Sequence, residues 1–227
     1  MTELNDLMHR LEVQTNRDCI KCRQPFVATG LQGICDTCSD IVEPARVIVR
    51  ELGESWPERH RSRLADMHGP SLDRGKRLLP LTMGSGMIVL VGDRGRGKTQ
   101  LATWMAWQRG QAGKSTGIYT TAFDVFAAIK STWGRNSAEG ERDVLTRFKK
   151  AAFLCVDECH ERGETDWENR TMRNILDHRY LSCLPTVLIG NWRTGEEISA
   201  SLGASITDRI TETGGIVWCK WESYRTP

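Results

Sequence analysis

Residues 88–107 read IVLVGDRGRGKTQLATWMAW, an apolar run that leads through a glycine-rich loop into a sequence with helical character. The loop fits the pattern G-x-x-x-x-G-K-[ST] at Gly92, Gly97, Lys98 and Thr99. Glycines let the backbone N–H groups wrap closely around an anion, and a helix that begins at the loop points its positive end at the same place. This stretch therefore predicts a P-loop that binds the phosphates of ATP.

Each residue type in the loop has an expected task. Lys98 is expected to contact the β- and γ-phosphates, and Thr99 to offer its hydroxyl to Mg²⁺. The whole loop is predicted to bind the nucleotide: Gly92, Asp93, Arg94, Gly95, Arg96, Gly97, Lys98, Thr99 and Gln100.

Five short apolar runs, at 87–91, 117–121, 153–157, 186–190 and 215–219, alternate with longer helical patterns. This alternation predicts an α/β fold in which a five-stranded, mostly parallel sheet is flanked by helices.

Two of these predicted strands end in polar residues that suit hydrolysis of a nucleotide. The run FLCVDE ends in Asp157 and Glu158, and TVLIGN ends in Asn191. Ligands of parallel sheets bind at the carboxyl ends of the strands, so these side chains should face the P-loop. We expect Asp157 to hold Mg²⁺, Glu158 to polarise the attacking water and Asn191 to orient it. The alternative for Asn191 is a residue that only starts a turn.

Arginines farther along the chain are candidates for stabilising charge in the transition state. Arg209 lies in SITDRITET, and an arginine inserted across a subunit boundary can neutralise that charge. Arg179, in ILDHRY, is a weaker candidate for the same role. An ordinary solvated surface arginine is the alternative for Arg209.

A four-cysteine cluster near the N-terminus predicts a metal site. Cys19-x-x-Cys22 and Cys35-x-x-Cys38, separated by twelve residues, would present four thiolates to one Zn²⁺. Disulfides or free thiols are the alternative. We therefore predict a zinc-binding module over 1–45, a linker or helical connection over 46–80 and an ATPase domain over 81–227.

Composition excludes few classes of function. The net charge of +2 does not indicate nucleic-acid binding by itself, and no apolar run is long enough to span a bilayer. The polar start MTELNDLMHR does not look like a secretion signal, so we expect a cytoplasmic protein with no membrane contact.

Taken together, the motifs of residues 86–225 resemble the AAA+ ATPases of the DnaC/IstB group, particularly DnaC-like replicative helicase loaders. The resemblance rests on VGDRGRGKT, FLCVDE, MRNILDHRY, TVLIGNW, ITDRI and the terminal KWESYR. It implies an AAA+ core without a helical lid and an ATP-dependent homo-oligomer in which ATP lies between subunits, with Arg209 acting in trans. It also implies a DnaB-type helicase and single-stranded DNA as partners.

The resemblance places candidate DNA contacts in TAFDVFAAIKSTWGR, at Phe123, Lys130, Trp133 and Arg135. A core-facing helix is the competing interpretation of that segment. Two other functions stay open: an IstB-like ATPase that assists a transposase, and an adaptor that binds zinc and ATP but turns over little ATP.

Overall fold

The computed structural model describes residues 14–18, 23–29, 52–134, 137, 139–163 and 165–224. The chain divides into two compact units, 1–47 and 48–227. Within the described ranges, no helix is long and apolar enough to cross a membrane.

The first unit contains two described strands, β1 (Gln14–Asp18) and β2 (Pro25–Thr29). They pair antiparallel, with Gln14 opposite Thr29 and Asp18 opposite Pro25. The cysteines of the predicted zinc site lie outside the described residues, so that site stays a prediction; they are Cys19, Cys22, Cys35 and Cys38.

The second unit is built on a five-stranded parallel sheet in the order β4-β5-β6-β3-β7. Its strands are β3 (Met87–Val91), β4 (Ile118–Thr121), β5 (Leu154–Asp157), β6 (Thr186–Gly190) and β7 (Gly215–Trp218). All five coincide with the apolar runs of the sequence, which confirms the predicted sheet. The central strands β3, β5 and β6 are buried along their whole length, as near-continuous apolar sequences require.

Eight α-helices are described in this unit, and a 3₁₀ turn at Ser131–Trp133 follows the fourth. They are α1 (Glu58–Arg61), α2 (Gly69–Met83), α3 (Lys98–Gln111), α4 (Ala122–Lys130), α5 (Glu141–Lys150), α6 (Asp166–Leu181), α7 (Gly195–Leu202) and α8 (Ala204–Thr213). Three of them begin after a threonine whose side chain accepts a hydrogen bond from the backbone N–H three residues later. These N-caps are Thr121, Thr165 and Thr194, each followed at the third position by Asp or Glu, a pattern that fixes a helix start.

Helices cover both faces of the sheet. Alternate residues of β3 point to opposite sides: Val89 packs with α4 to α8, whereas Ile88 and Leu90 pack with α2 and α3. The three-layer arrangement follows from the period of two along each strand. Phe126 and Ile129 of α4 are buried, so the core-facing interpretation of that helix is correct for these two residues.

Residues 52–83, which overlap the linker or helical connection expected over 46–80, belong to the compact second unit and contain two helices. Trp56 is fully buried, and its ring stacks on that of Phe153 at a centroid distance of 6.1 Å. In α2, Gly75 lies so close to α3 that an added Cβ would approach Leu101 and Trp104 to 2.9 Å. The charged and proline-rich composition of this segment concealed a few apolar residues that complete the second face of the core.

Arg179 is a structural residue, which corrects its candidacy as a transition-state arginine. Its side chain is fully buried. The guanidinium donates to the hydroxyl of Thr186 and to the carbonyl oxygens of Phe148, Lys149, Ala151 and Pro185. A buried cation with several carbonyl partners ties α6 to the start of two neighbouring strands and has no access to a nucleotide.

We expect Arg179→Ala to lower the free energy of unfolding by about 3 kcal/mol or more, because it leaves several buried carbonyl groups without a donor. Arg170→Ala on the exposed side of the same helix should change it by less than about 0.5 kcal/mol. Urea denaturation of both variants measures the difference. Equal midpoints would contradict the structural role.

Candidate functional site

The glycines of the P-loop are required by its backbone. Gly92, Gly95 and Gly97 have φ angles of 145°, 84° and 74°, which disfavour residues with a side chain. A Cβ on Gly92 would also lie 2.7 Å from the carbonyl oxygen of Cys219, beyond the end of β7. Glycine at these positions therefore stabilises the shape of the loop, and at Gly92 it is also needed to avoid a backbone clash.

Lys98 begins α3 and is almost entirely buried, at 8% exposed. Its ammonium group donates to the carbonyl oxygens of Gly92, at 2.6 Å, and Asp93, at 2.9 Å. A third bond, of 2.8 Å, reaches Oδ1 of Asn191 at the end of β6. The charge is thus held inside the loop, and the sequence-predicted Lys98 and Asn191 are in direct contact.

The predicted magnesium ligands lie side by side. Thr99 Oγ1 donates to Asp157 Oδ2 at 2.7 Å, and the hydroxyl of Tyr119 donates to the same oxygen at 2.9 Å. The other carboxylate oxygen accepts from the backbone N–H of Glu158 at 2.7 Å. A hydroxyl and a carboxylate at the phosphate end of the loop are oxygen donors of the kind Mg²⁺ prefers, so these residues fit that ion.

Glu158 has an unusual backbone, with φ at +54°. A left-handed conformation costs a residue with a Cβ about 1 kcal/mol, and such outliers concentrate at functional sites. Partial burial raises the pKa of its carboxyl group, and the negative charges of Glu161 and Asp157 raise it further. Glu158 lines the cavity beside the P-loop.

A cavity of about 650 Å³ joins these groups to a second set of residues. Residues 94–100 line it together with Asp157, Glu158, His160, Glu161 and Asn191. The rest of the lining comes from outside the loop and the strand ends: Arg59, His60, Arg63, Asp66, Met67, His68, Ser71 and Tyr224. Its mixed polar and apolar lining suits a nucleotide whose phosphates lie on the loop.

The C-terminal segment 219–224 closes over the loop. Tyr224 donates its backbone N–H to the carbonyl of Gly95, and its hydroxyl donates to Ser71 Oγ at 3.0 Å. Trp221 donates its indole N–H to the carbonyl of Arg96, whose guanidinium bonds back to the carbonyl of Trp221. The terminal KWESY sequence therefore shapes the binding loop.

The remaining predicted loop residues have varied contacts. Gln100 donates to the carbonyl oxygens of His60 and Arg63, so it fixes α1 beside the cavity. Arg94 forms an ion pair with Glu161 at 2.7 Å and is exposed. Both still line the cavity.

Arg209 does not line the cavity of its own chain. It lies on α8, forms an ion pair with Asp177 and packs its guanidinium 4.9 Å from the ring centroid of Tyr180. A single chain does not test action across a subunit boundary, so the trans role of Arg209 stays a prediction.

The candidate DNA-binding segment has a mixed surface. Phe123 and Trp133 are 70% and 57% exposed, whereas Lys130 lies 3.7 Å from Glu168 and over the ring of Trp167. Arg135 lies outside the described residues.

Sequence reasoning missed Tyr119, His160 and Tyr224 as members of the site. Tyr119 is two residues from the end of β4, where a strand side chain can reach a neighbouring strand end. His160 follows Asp157 by three residues, and no pattern in the sequence indicates that its imidazole reaches Asn191. Within the described residues, no group of three or more His, Cys, Asp or Glu side chains is arranged to hold a metal ion.

The family model described as "IstB-like ATP binding protein" matches residues 79–227, which include the whole sheet and the P-loop. The chain belongs to the IstB-like ATP-binding protein family. The matched range includes the P-loop, the strand that ends at Asp157 and the residue Asn191 that follows β6.

Relatives of this IstB-like chain include the replicative helicase loader DnaC of Escherichia coli K12, which is 32% identical over 141 residues. That alignment covers 61% of this chain and 56% of the relative, so the chain matches about half the length of that protein.

Solved structures show the same fold. A crystal structure of the DnaC helicase loader has a TM-score of 0.58 at 17% identity, covering 71% of this chain and 99% of the other. A crystal structure of DnaI has a TM-score of 0.55 at 19% identity, covering 76% and 93%.

Proposed function

We propose that this IstB-like protein is an ATPase that loads a replicative DNA helicase onto single-stranded DNA. The observation that carries the ATPase part of the proposal is the contact of Lys98 with Asn191 and of Thr99 with Asp157, since one cation and one carboxylate then line the same cavity. The matched relative in Escherichia coli is named a replicative helicase loader, and this similarity supports the choice of partner.

Each residue of the site has its own role in the hydrolysis of ATP. Mg-ATP, when bound, supplies the phosphoryl group that is transferred to water. Lys98 neutralises charge on the phosphates, Thr99 and Asp157 hold the metal, Glu158 polarises the water and Asn191 orients it. Arg209 from a neighbouring subunit completes the charge stabilisation, so assembly into a homo-oligomer is needed for full activity.

In this proposal, the N-terminal zinc module is the part of the protein that binds the helicase. Four cysteines that bind Zn²⁺ would fold the short segment 1–45 and let it dock on a DnaB-type hexamer in the cytoplasm. Phe123, Lys130 and Trp133 would contact single-stranded DNA by stacking and charge.

We expect the intact protein to co-purify with a DnaB-type hexamer in the presence of Mg-ATP and to bind single-stranded DNA more tightly than duplex across a salt series. Cys19→Ser combined with Cys22→Ser should remove the helicase contact and leave ATP affinity unchanged, because the P-loop lies in the other unit. Analytical size exclusion and fluorescence anisotropy measure these outcomes.

Two other results would reject helicase loading. Co-purification with a transposase together with preference for duplex DNA would favour an IstB-like transposition helper, which the family name keeps in view. A helicase complex that forms without measurable ATP turnover would favour a nucleotide-switched adaptor.

A further inference from the structure

His160 lies three residues after Asp157, and its imidazole reaches the polar side chain at the end of the next strand. The His160 Nε2 atom is 3.0 Å from Asn191 Nδ2. In the described part of the chain, His160 Nδ1 is buried and has no hydrogen-bond partner. A buried polar atom without a partner costs about 1–3 kcal/mol, so the ring sits here despite a penalty.

The contacts of Asn191 determine which nitrogen of His160 carries a proton. Lys98 is a donor only, so the Asn191 atom at 2.8 Å from its ammonium must be the oxygen Oδ1. The amide nitrogen of Asn191 then faces His160, and this nitrogen can only donate. His160 Nε2 must therefore accept, which leaves the proton of the neutral ring on Nδ1.

The surroundings favour this neutral form. Partial burial lowers the pKa of His160, and the positive charges of Lys98 and Arg94 lower it further. The carboxylates of Glu161, 3.4 Å from Nε2, and of Asp157 oppose the effect. The net direction is downward from a usual value near 6.5, so the ring is mostly neutral at pH 7.

The ring is also held from the other side. The indole of Trp192 meets the His160 imidazole edge to face at a centroid distance of 6.3 Å. Since Trp192 is buried and directly follows Asn191, the orientations of the histidine and the amide are linked.

We propose that His160 is a positioning residue for ATP hydrolysis, which holds the amide of Asn191 so that Oδ1 faces the nucleotide. Arrival of the γ-phosphate draws the Lys98 ammonium towards the phosphate and removes one of the two partners that orient Asn191. The bond to His160 then keeps Oδ1 in place to accept a hydrogen bond from the attacking water. This inference rests on the proposed hydrolysis and adds a residue to it.

Three substitutions of His160 test whether turnover needs a hydrogen-bond acceptor at the place of its Nε2 atom. His160→Leu should lower kcat about fivefold or more with KM for ATP unchanged within about twofold, the effect of losing one hydrogen bond during the chemical step. His160→Gln should restore kcat to within about twofold of the wild type, since its Oε1 reaches the place of Nε2. His160→Asn is too short to reach and should behave like the leucine variant.

The inference would be overturned by a leucine variant with wild-type kcat, by a glutamine variant as impaired as the leucine variant, or by KM rising in step with the loss of kcat. A wild-type protein without ATP turnover would overturn the proposed hydrolysis and the positioning role together. Turnover in the wild type that is insensitive to His160→Leu would overturn the positioning role alone.

The tautomer of His160 can also be measured directly, without any assay of turnover. NMR of ¹⁵N-histidine-labelled protein at pH 8 should show His160 among the rings with a proton on Nδ1, as a signal of that tautomer that is missing in His160→Gln. The chain has five histidines, so the missing signal gives the assignment. A proton on Nε2 of His160 would show that Asn191 does not donate to it and would overturn the inference.

Discussion

Lys98→Ala should weaken ATP binding at least about 100-fold, the largest loss expected from any single substitution in this protein. The Lys98 ammonium is held inside the loop by the carbonyl oxygens of Gly92 and Asp93 and by Oδ1 of Asn191. A bound triphosphate would become its partner in place of water and these neutral acceptors. Charge-assisted hydrogen bonds to phosphate are stronger than neutral ones, and a 100-fold change corresponds to about 2.7 kcal/mol.

Isothermal titration with ATP and Mg²⁺ measures this loss. Lys76→Ala, which removes an exposed lysine of α2, is the matched control and should bind ATP as the wild type does. The thermal midpoint of Lys98→Ala without nucleotide shows whether the loop still folds. Affinity within threefold of the wild type, in a folded variant, would mean that the phosphates do not lie on this loop.

Glu158→Gln should leave ATP binding nearly unchanged and reduce turnover about 100-fold or more. Glutamine keeps the size of the side chain but cannot take a proton or polarise water through a negative charge, and removing a general base typically costs a factor of 10² to 10⁴. Because burial raises the pKa of Glu158, assays at pH 8 favour its ionised form more than assays at lower pH do.

Steady-state phosphate release and ATP titration separate the two effects. Glu54→Gln, an exposed carboxylate outside the cavity, should keep full turnover. If Glu158→Gln hydrolysed ATP at the wild-type rate, another group would have to activate the water.

The sheet and the centre of the site could be predicted from sequence because both are locally encoded. Each strand is a short apolar run, and the ligands follow from one rule, that parallel strands present their carboxyl ends at one edge. Lys98, Thr99, Asp157 and Asn191 therefore meet as expected, although they come from three separate segments.

The rest of the cavity depends on contacts between distant parts of the chain, which carry no local signature. Trp56 is buried against Phe153, and Tyr224 bonds to Ser71, more than 90 residues away in each case. His160 was missed for another reason. The positioning role that we propose for it depends on an indirect contact, because the bond from Lys98 to Asn191 fixes which atom of the Asn191 amide faces the imidazole.

The packing of the phosphate loop against the end of β7 determines how early the loop can fold during synthesis. The phosphate loop begins at Gly92, yet its first residue packs against Cys219, and the backbone N–H of Cys219 bonds to Val91. During synthesis, residues 215–219 would have to emerge from the ribosome before the loop acquired these neighbours. A product that stops before residue 215 would lack the packing that shapes the phosphate loop, so we expect it to bind nucleotide weakly.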